Sequence, residues 1–432
     1  MYSEKLKKSS RIPNFYKLTP DKRLKIIKEF ASLTEEEIKI LKDTGALDLG
    51  TANMMIENVI GVAHLPIGIA TNFLINNKDY LVPMAIEEPS VVAAASHGAK
   101  MTREGGGIFA ESTESIMIGQ IQVVNVKDPY KAKSEILNAK EDILMTANKQ
   151  DPVLISLGGG ARDLDVKIIE TIKGQMLIVY LYVDVKDAMG ANIVNTMAES
   201  IAPVISRITG GKVYLRIVTN LADKRLVRAR TIVPKKAVGG EEVVDGIVYA
   251  YAFAAADPYR AATHNKGIMN GIDAVAIATG QDWRAIEAGA HAYAARFGKY
   301  MPLSTWDKNE KGDLVGTIEI PLAVGIVGGT IRTNPVAKIC LKILGVKSAR
   351  ELAEIMAAVG LTQNLAALRA LVTEGIQRGH MKLHAKNIAM MAGAKGREID
   401  FIAKIMVETG SISVDVAKHL LRKLRQCELD SF

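Results

Sequence analysis

The chain has 432 residues, too many for one compact core, so two or three domains are expected. With 48% hydrophobic and 24% charged residues it is an ordinary globular sequence, and its two cysteines, Cys340 and Cys427, stand far apart, which excludes a disulfide framework or structural zinc site and fits a reducing compartment. The net charge of +8 suits nucleic acid or a phosphate-rich cofactor, but the basic residues are scattered among acids, which ranks a polyanionic cofactor first and makes nucleic acid a poor partner.

In chain order, the first helices are predicted over 20–32 and 35–43. Thr19 caps the first with Pro20 at its first position, and Thr34 with Glu37 forms a capping box for the second. A mixed region follows to Gly107, where a glycine run closes a helix. From there the order is strand 116–126, helix 129–148, strands 164–171 and 176–185 turning at Lys173-Gly174, helix 188–209 and strand 212–219. That is the ferredoxin-like split βαβ order. No GxGxxG follows a first strand and no GxxxxGK[ST] occurs, so a dinucleotide bound here has no Rossmann fingerprint.

From about 221 to 374 the composition returns to that of the N-terminal part, so the simplest account is one larger domain interrupted by a small one. After Gly375 helix formers dominate, with Gly410 ending one helix and Ser413 capping the last. The expected fold class is α+β: a large mixed α/β domain (residues 1–109 and 220–375) interrupted by a small ferredoxin-like βαββαβ domain (110–219), followed by a helical C-terminal flap (376–432). The best membrane candidates, 176–183 and 322–331, are strand-length or broken by glycine, and the N-terminal stretch lacks an apolar signal core. The expected location is the cytoplasm.

Four stretches hold more polar functionality than a core or plain surface requires. In Pro83–Ser90, Glu87 and Glu88 are adjacent in an apolar context before an Ala-rich helix; a buried carboxylate there suits proton donation, and a dipole-favoured acid pair at a helix start is the alternative. In Asp187–Asn192, which includes Met189, an apolar strand meets a helix, where free backbone amides suit a phosphate and Gly190 permits close approach; a plain turn explains it as well. The stretch from Asp257 to Gly271, with Asp282 following, carries Arg260, Lys266 and Asn270. Arginine clamps a carboxylate, lysine stabilises an oxyanion and a nearby aspartate keeps that lysine charged. Finally, His380 and His384 lie one helical turn apart, without an HExxH, and Gly379 suits a hinge that delivers an imidazole.

Together with Glu57–Gly61, Gly158–Gly160 and Asn220–Asp223, these stretches resemble 3-hydroxy-3-methylglutaryl-coenzyme A (HMG-CoA) reductase, and the EEPS, DAMGAN and GIQRGHM wording resembles its class II branch. The resemblance covers Arg11 to about His419. It implies an NAD(P)-dependent oxidoreductase that converts HMG-CoA to mevalonate and coenzyme A with two nicotinamide hydrides, reversibly, in isoprenoid metabolism, without a metal. It further implies that Glu88 supplies protons, Lys266 holds the oxyanion, Asp282 positions that lysine, and His380 on a mobile flap protonates the departing thiolate. Ser90, Arg260, Asn220 and Asn270 are implied in holding the hydroxymethylglutaryl group, and Asp187, Met189 and Asn192 in binding the dinucleotide. Asp151 is implied to accept hydrogen bonds from the adenine ribose, and its charge repels a 2′-phosphate, which favours NADH over NADPH. A homodimer with the site at the subunit interface, extendable to a hexamer of three dimers, is the implied assembly.

Overall fold

The computed structural model describes residues 9–43, 45 and 47–429, with side chains described except at 330, 376–383 and 427–429. After a 3-10 turn, helices α1 (Pro20–Ala31) and α2 (Glu35–Lys42) start where their caps predict. The Thr19 hydroxyl accepts from the Lys22 amide, and Thr34 and Glu37 form the reciprocal capping box. A short helix, α3 (Leu49–Met55), leads to the hairpin of β1 (Ile67–Ile75) and β2 (Lys78–Ala85), then α4 (Val91–Arg103) and β3 (Ile108–Ser112).

The next segment builds a second sheet. Its elements are β4 (Ile116–Val124), α5 (Pro129–Asn138), α6 (Lys140–Asn148), α7 (Pro152–Ser156), β5 (Gly160–Thr171), β6 (Gly174–Asp184), α8 (Ala191–Thr209) and β7 (Lys212–Val218). The strands lie in the order β5-β6-β4-β7, each antiparallel to its neighbours, which is the ferredoxin-like topology read from the sequence. Alternate residues of β6 (Leu177, Val179, Leu181, Val183) share one core with Val194, Met197, Ile201 and Ile205 of α8, a period of two combined with a period of nearly four.

Two details differ from expectation. The helix predicted over 129–148 is broken at Ala139, which ends α5 and begins α6, so that Ile136 and Ile143 both reach the same core behind β5 and α8. The helix predicted from 188 begins at Ala191, because Gly190 takes a φ of 102° that no L side chain favours, leaving the residues between β6 and α8 as a loop.

Beyond β7 come β8 (Leu226–Val233), α9 (Lys235–Val238), α10 (Glu241–Ala256), α11 (Pro258–Ala278), α12 (Trp283–Ala294), β9 (Ser304–Lys308), β10 (Leu314–Pro321), α13 (Gly329–Thr333), α14 (Pro335–Leu344) and α15 (Ala349–Val372). The larger sheet has the order β2-β1-β3-β8-β10-β9. β3 pairs with β8 from Ile108↔Thr231 to Ser112↔Val227, so the chain leaves this sheet, builds the small one and returns beside the strand it left. That is the expected interruption of one α/β unit by another.

Helices α16 (Ile376–Met391), α17 (Arg397–Thr409) and α18 (Val414–Leu429) close the chain with an apolar cluster of their own, including Ala385, Ile402, Met406 and Leu421. Gly410 in the left-handed region ends α17, and the Ser413 hydroxyl accepts from the Val416 amide. Gly379, expected as a hinge, lies inside α16, and the glycine with left-handed backbone is Gly375, which precedes the helix at φ 82°.

Helix α15, outside the two stretches expected as the best membrane candidates, is long and apolar enough by length and composition to cross a membrane, but 72% of its apolar window is buried inside the protein. It is the central core helix. Its Gly360 packs on Ile268 and Ile272 of α11, its Val359 and Gln363 pack on Gly271 of α11, and the Thr362 carbonyl lies against Gly98 of α4. A methyl group at 98 collides with that carbonyl, and neither backbone can yield without moving a helix. Gly98→Ala is therefore expected to destabilise the fold by about 2 kcal/mol; a thermal or urea unfolding midpoint equal to the wild type refutes the close-packing account.

Candidate functional site

Strand β2 delivers residues 86–90 to the head of α4. Ser90 sits there at φ 79°, ψ −21°, a left-handed conformation costly for a residue with a Cβ. Its carbonyl nevertheless accepts from the Ala94 amide at 2.7 Å and starts α4. This bend presents half-buried Glu88 to α11, where its carboxylate meets the Lys266 ammonium at 3.3 Å. Two segments 178 residues apart in the chain thus place a cation and a carboxyl group in direct contact.

Helix α11 is capped by Asp257, which accepts from the Arg260 amide at 2.8 Å with Pro258 at the first position. Lys266 and Asn270 are one turn apart and neighbours on its surface. Arg260 is half-buried, and desolvation lowers its guanidinium from the ordinary value. Asp282 caps the next helix, α12: its carboxylate accepts from the Ala285 amide at 3.2 Å and pairs with Arg284 at 3.1 Å. Among the described residues it makes no ion pair with Lys266. Asn220, in the β7–β8 connection, is exposed, and its carbonyl lies over Gly289 of α12, where a Cβ would come within 2.5 Å. The side chain of His380 lies outside the described residues.

The anchoring of α11 was not visible in the sequence. His264 is 1% exposed, and its Nε2 lies 2.7 Å from the Ser304 hydroxyl. That hydroxyl donates to Asn364 Oδ1, which also accepts from the Trp306 indole. Because Ser304 gives its proton to Asn364, His264 Nε2 is the donor to Ser304, and burial with nearby Arg260 lowers the imidazole to about 4, keeping it neutral. Asn265 continues the anchor, donating to the Met301 carbonyl and accepting from the Leu303 amide, both at 2.9 Å. A histidine on an apolar helix face carries no signal of its own; its partners come from β9 and α15.

On the smaller sheet, the loop between β6 and α8 carries Asp187, Met189 and Asn192. Asp187 Oδ1 accepts from the Ala349 amide at the first turn of α15, and its carbonyl accepts from the Ile326 amide. Buried Arg225 donates to the carbonyls of Ala188, Met189 and Val324 at 3.2, 3.0 and 2.5 Å. Burial pushes its guanidinium down to about 10, still charged at neutral pH. Gly325 packs so closely on this loop that a Cβ would lie 2.6 Å from the Met189 amide, and one at Gly190 would lie 2.6 Å from the Val185 side chain. Sequence reading missed Arg225, whose only trace is a basic residue just after Asn220–Asp223.

Gly190 provides no side-chain cap to α8, so the first-turn amides carry no capping side chain that would exclude an anion, and the glycine itself is required by the close packing of Val185. Asp151 caps α7, accepting from the Leu154 amide at 2.9 Å. The Gly158–Gly160 turn joins α7 to β5, where Gly160 pairs with Asp184 at the end of β6. Asp184 is buried and bound by Lys186 at 2.8 Å and Arg162 at 3.3 Å, which hold its carboxyl below the usual range against desolvation. The start of α8, without a capping side chain, fits a phosphate-bearing group.

The family model described as hydroxymethylglutaryl-coenzyme A reductase matches residues 19–385. A 3-hydroxy-3-methylglutaryl-coenzyme A reductase of Archaeoglobus fulgidus is 63% identical over 417 residues, 96% of this chain and 95% of the relative. A probable enzyme of the same name from Borreliella burgdorferi is 38% identical over 384 residues, 86% of each. The solved structure of the class II reductase from Streptococcus pneumoniae, bound to NADPH in open conformations, is 42% identical with a TM-score of 0.80, covering 94% of this chain and 100% of that one.

Replacing Arg225 with Met strands three loop carbonyls. The expected result is a loss of about 3 kcal/mol of stability together with weaker dinucleotide binding in a fluorescence titration. Unchanged affinity in a folded variant shows that the clamp does not shape the loop.

Proposed function

The chain belongs to the hydroxymethylglutaryl-coenzyme A reductase family, and from that premise we propose that it carries out the reductive deacylation of HMG-CoA to mevalonate and coenzyme A. Two NAD(P)H and two protons are consumed, and two NAD(P)⁺ and one thiol are released. The observation that carries this reading is the Lys266–Glu88 contact at 3.3 Å.

The bound nicotinamide supplies the hydride. Everything else falls to protein groups. Each reduction puts negative charge on the carbonyl oxygen, and the Lys266 ammonium is the cation held to receive it. Glu88, already hydrogen-bonded to that lysine, is the acid that protonates the same oxygen. Collapse of the hemithioacetal between the two reductions expels a thiolate, for which an imidazolium is matched in acidity, and His380 takes this role. Asp282, at the start of α12 and paired here with Arg284, is the acid assigned to charge-balance the lysine during turnover. Arg260 clamps the free carboxylate of the substrate, with Ser90, Asn220 and Asn270 completing the acyl pocket.

On the smaller sheet, Asp187, Met189 and Asn192 line the dinucleotide site and Asp151 receives the adenine ribose, which favours NADH. The NADPH held by the S. pneumoniae relative and the two cations on Asp184 favour tolerance of the phosphorylated cofactor. The assignment of 1–109 and 220–375 to the substrate unit, 110–219 to the cofactor unit and 376–432 to the flap follows the same reading. A cytoplasmic homodimer, extendable to three dimers, is the assembly, supported by Tyr249, Phe253 and Tyr259, which are 77, 56 and 85% exposed around the α10–α11 corner.

The direct test follows NADH absorbance with HMG-CoA added; two NADH oxidised per thiol released is the expected stoichiometry, and binding without oxidation defeats the proposal. Lys266→Ala is expected to lower kcat by about 100- to 1,000-fold. Asp151→Ala is expected to narrow the NADH to NADPH ratio in kcat/KM, and an unchanged ratio removes its assignment.

A further inference from the structure

Asp273 follows Lys266 by seven residues and Asn270 by three, so the three side chains share one face of α11. It is hydrogen-bonded to Glu287, which lies on α12, the helix that Asp282 caps. Glu287 Oε2 lies 2.5 Å from His291 Nε2, and His291 Nδ1 lies 2.7 Å from the Tyr300 hydroxyl, with the two rings stacked at 6.0 Å. Tyr300 is within hydrogen-bonding reach of Asn265, directly before Lys266. Asp273 Oδ1 is shut off from solvent with no partner among the described residues.

Two carboxyl groups in hydrogen-bond contact under this burial cannot both be ionised. Burial and the facing carboxylate raise Asp273, whereas the bond to His291 lowers Glu287 and raises His291. The arrangement is therefore an Asp273 hydroxyl donating to a Glu287 carboxylate, whose Oε2 also lies 2.5 Å from His291 Nε2, while the other ring nitrogen faces the Tyr300 hydroxyl. Near this part of α11, Val359 and Gln363 of α15 lie at Gly271, Gly360 lies at Ile272, and Ala85 and Cys340 cluster with Ala278; the thiol is the titratable group among these five, and burial pushes it up to about 12.

We propose that Asp273 and Glu287, sharing one proton, are positioning residues: the pair docks α12 on α11 and so sets the Asp282 carboxylate relative to the Lys266 ammonium. This rests on the catalytic reading of Lys266 and Asp282 given above. Loss of the shared proton puts two carboxylates face to face and pushes the helices apart, which changes the geometry of turnover and not the grip on the acyl carboxylate. The effect therefore falls on kcat, with KM for HMG-CoA little changed.

Asp273→Asn keeps a donor toward Glu287 but has no proton to lose, whereas Asp273→Ala removes the donor. The wild type is expected to lose kcat as rising pH removes the proton that burial and the facing carboxylate hold on Asp273. Asp273→Asn is expected to hold its rate across that range, and Asp273→Ala to run about 10- to 100-fold slower at every pH. Infrared spectroscopy on the unliganded protein at neutral pH provides a readout that needs no activity: a protonated carboxylic acid band present in the wild type and absent in Asp273→Asn. The proposal is overturned if Asp273→Asn keeps the alkaline fall at its wild-type midpoint, or if the two infrared spectra coincide in that region. A wild type that oxidises no NADH with HMG-CoA refutes the functional reading and its geometric consequence, while the band still decides whether the proton is shared.

Discussion

The close approach of three helices governs the larger unit. Gly98 of α4, Gly271 of α11 and Gly360 of α15 each stand where a methyl group would crowd a neighbouring helix. Backbone contact of this kind leaves no slack, because interiors pack at crystal density and a helix moves as a unit. The ion pair between Glu88 and Lys266 inherits that rigidity, since one partner precedes α4 and the other rides on α11. An exposed lysine on a loosely packed helix would gain little from such a contact. Here the position of the cation is set by the core beneath it.

Buried polar groups then specify what apolar packing leaves undetermined. Apolar contacts are indifferent to small rotations, whereas a buried donor without its acceptor costs about 1–3 kcal/mol. His264 Nε2, Ser304, Asn364 and Trp306 form one hydrogen-bonded chain that locks the rotation of α11 against β9 and α15, although His264 Nδ1 is buried without a partner among the described residues. Arg225 does the same for the loop between β6 and α8, binding it to the segment after β10. The proposed substrate and cofactor regions thus share a principle: the groups offered to ligands lie on the surface, and the groups that aim them are buried directly underneath.

Much of the architecture is legible in the sequence. The caps at Thr19 and Thr34, the hairpin at Lys173-Gly174 and the strand-helix order of the small sheet follow from local propensity and hydrophobic period, which act over a few residues. The helix break at Ala139 and the late start of α8 at Ala191 did not, because both depend on what the helix packs against. The same limit applies to α15, whose apolar length alone does not distinguish a core helix from a membrane span. Its buried surface is matched by surrounding helices that only the tertiary fold provides.

The chemistry divides along the same line. Residue types and their local order, two adjacent acids, an arginine-lysine-asparagine helix and a glycine before a helix start, are covalent facts, and the sequence by itself determined which groups are available and to which family they belong. Which of them touch was decided by tertiary structure: Glu88 meets Lys266 across 178 residues, whereas Asp282 pairs with Arg284. The states of Asp273, Glu287 and His291 likewise belong to the fold alone. A proton's position depends on desolvation and on charges within a few ångströms, and neither quantity exists until distant segments have been brought together.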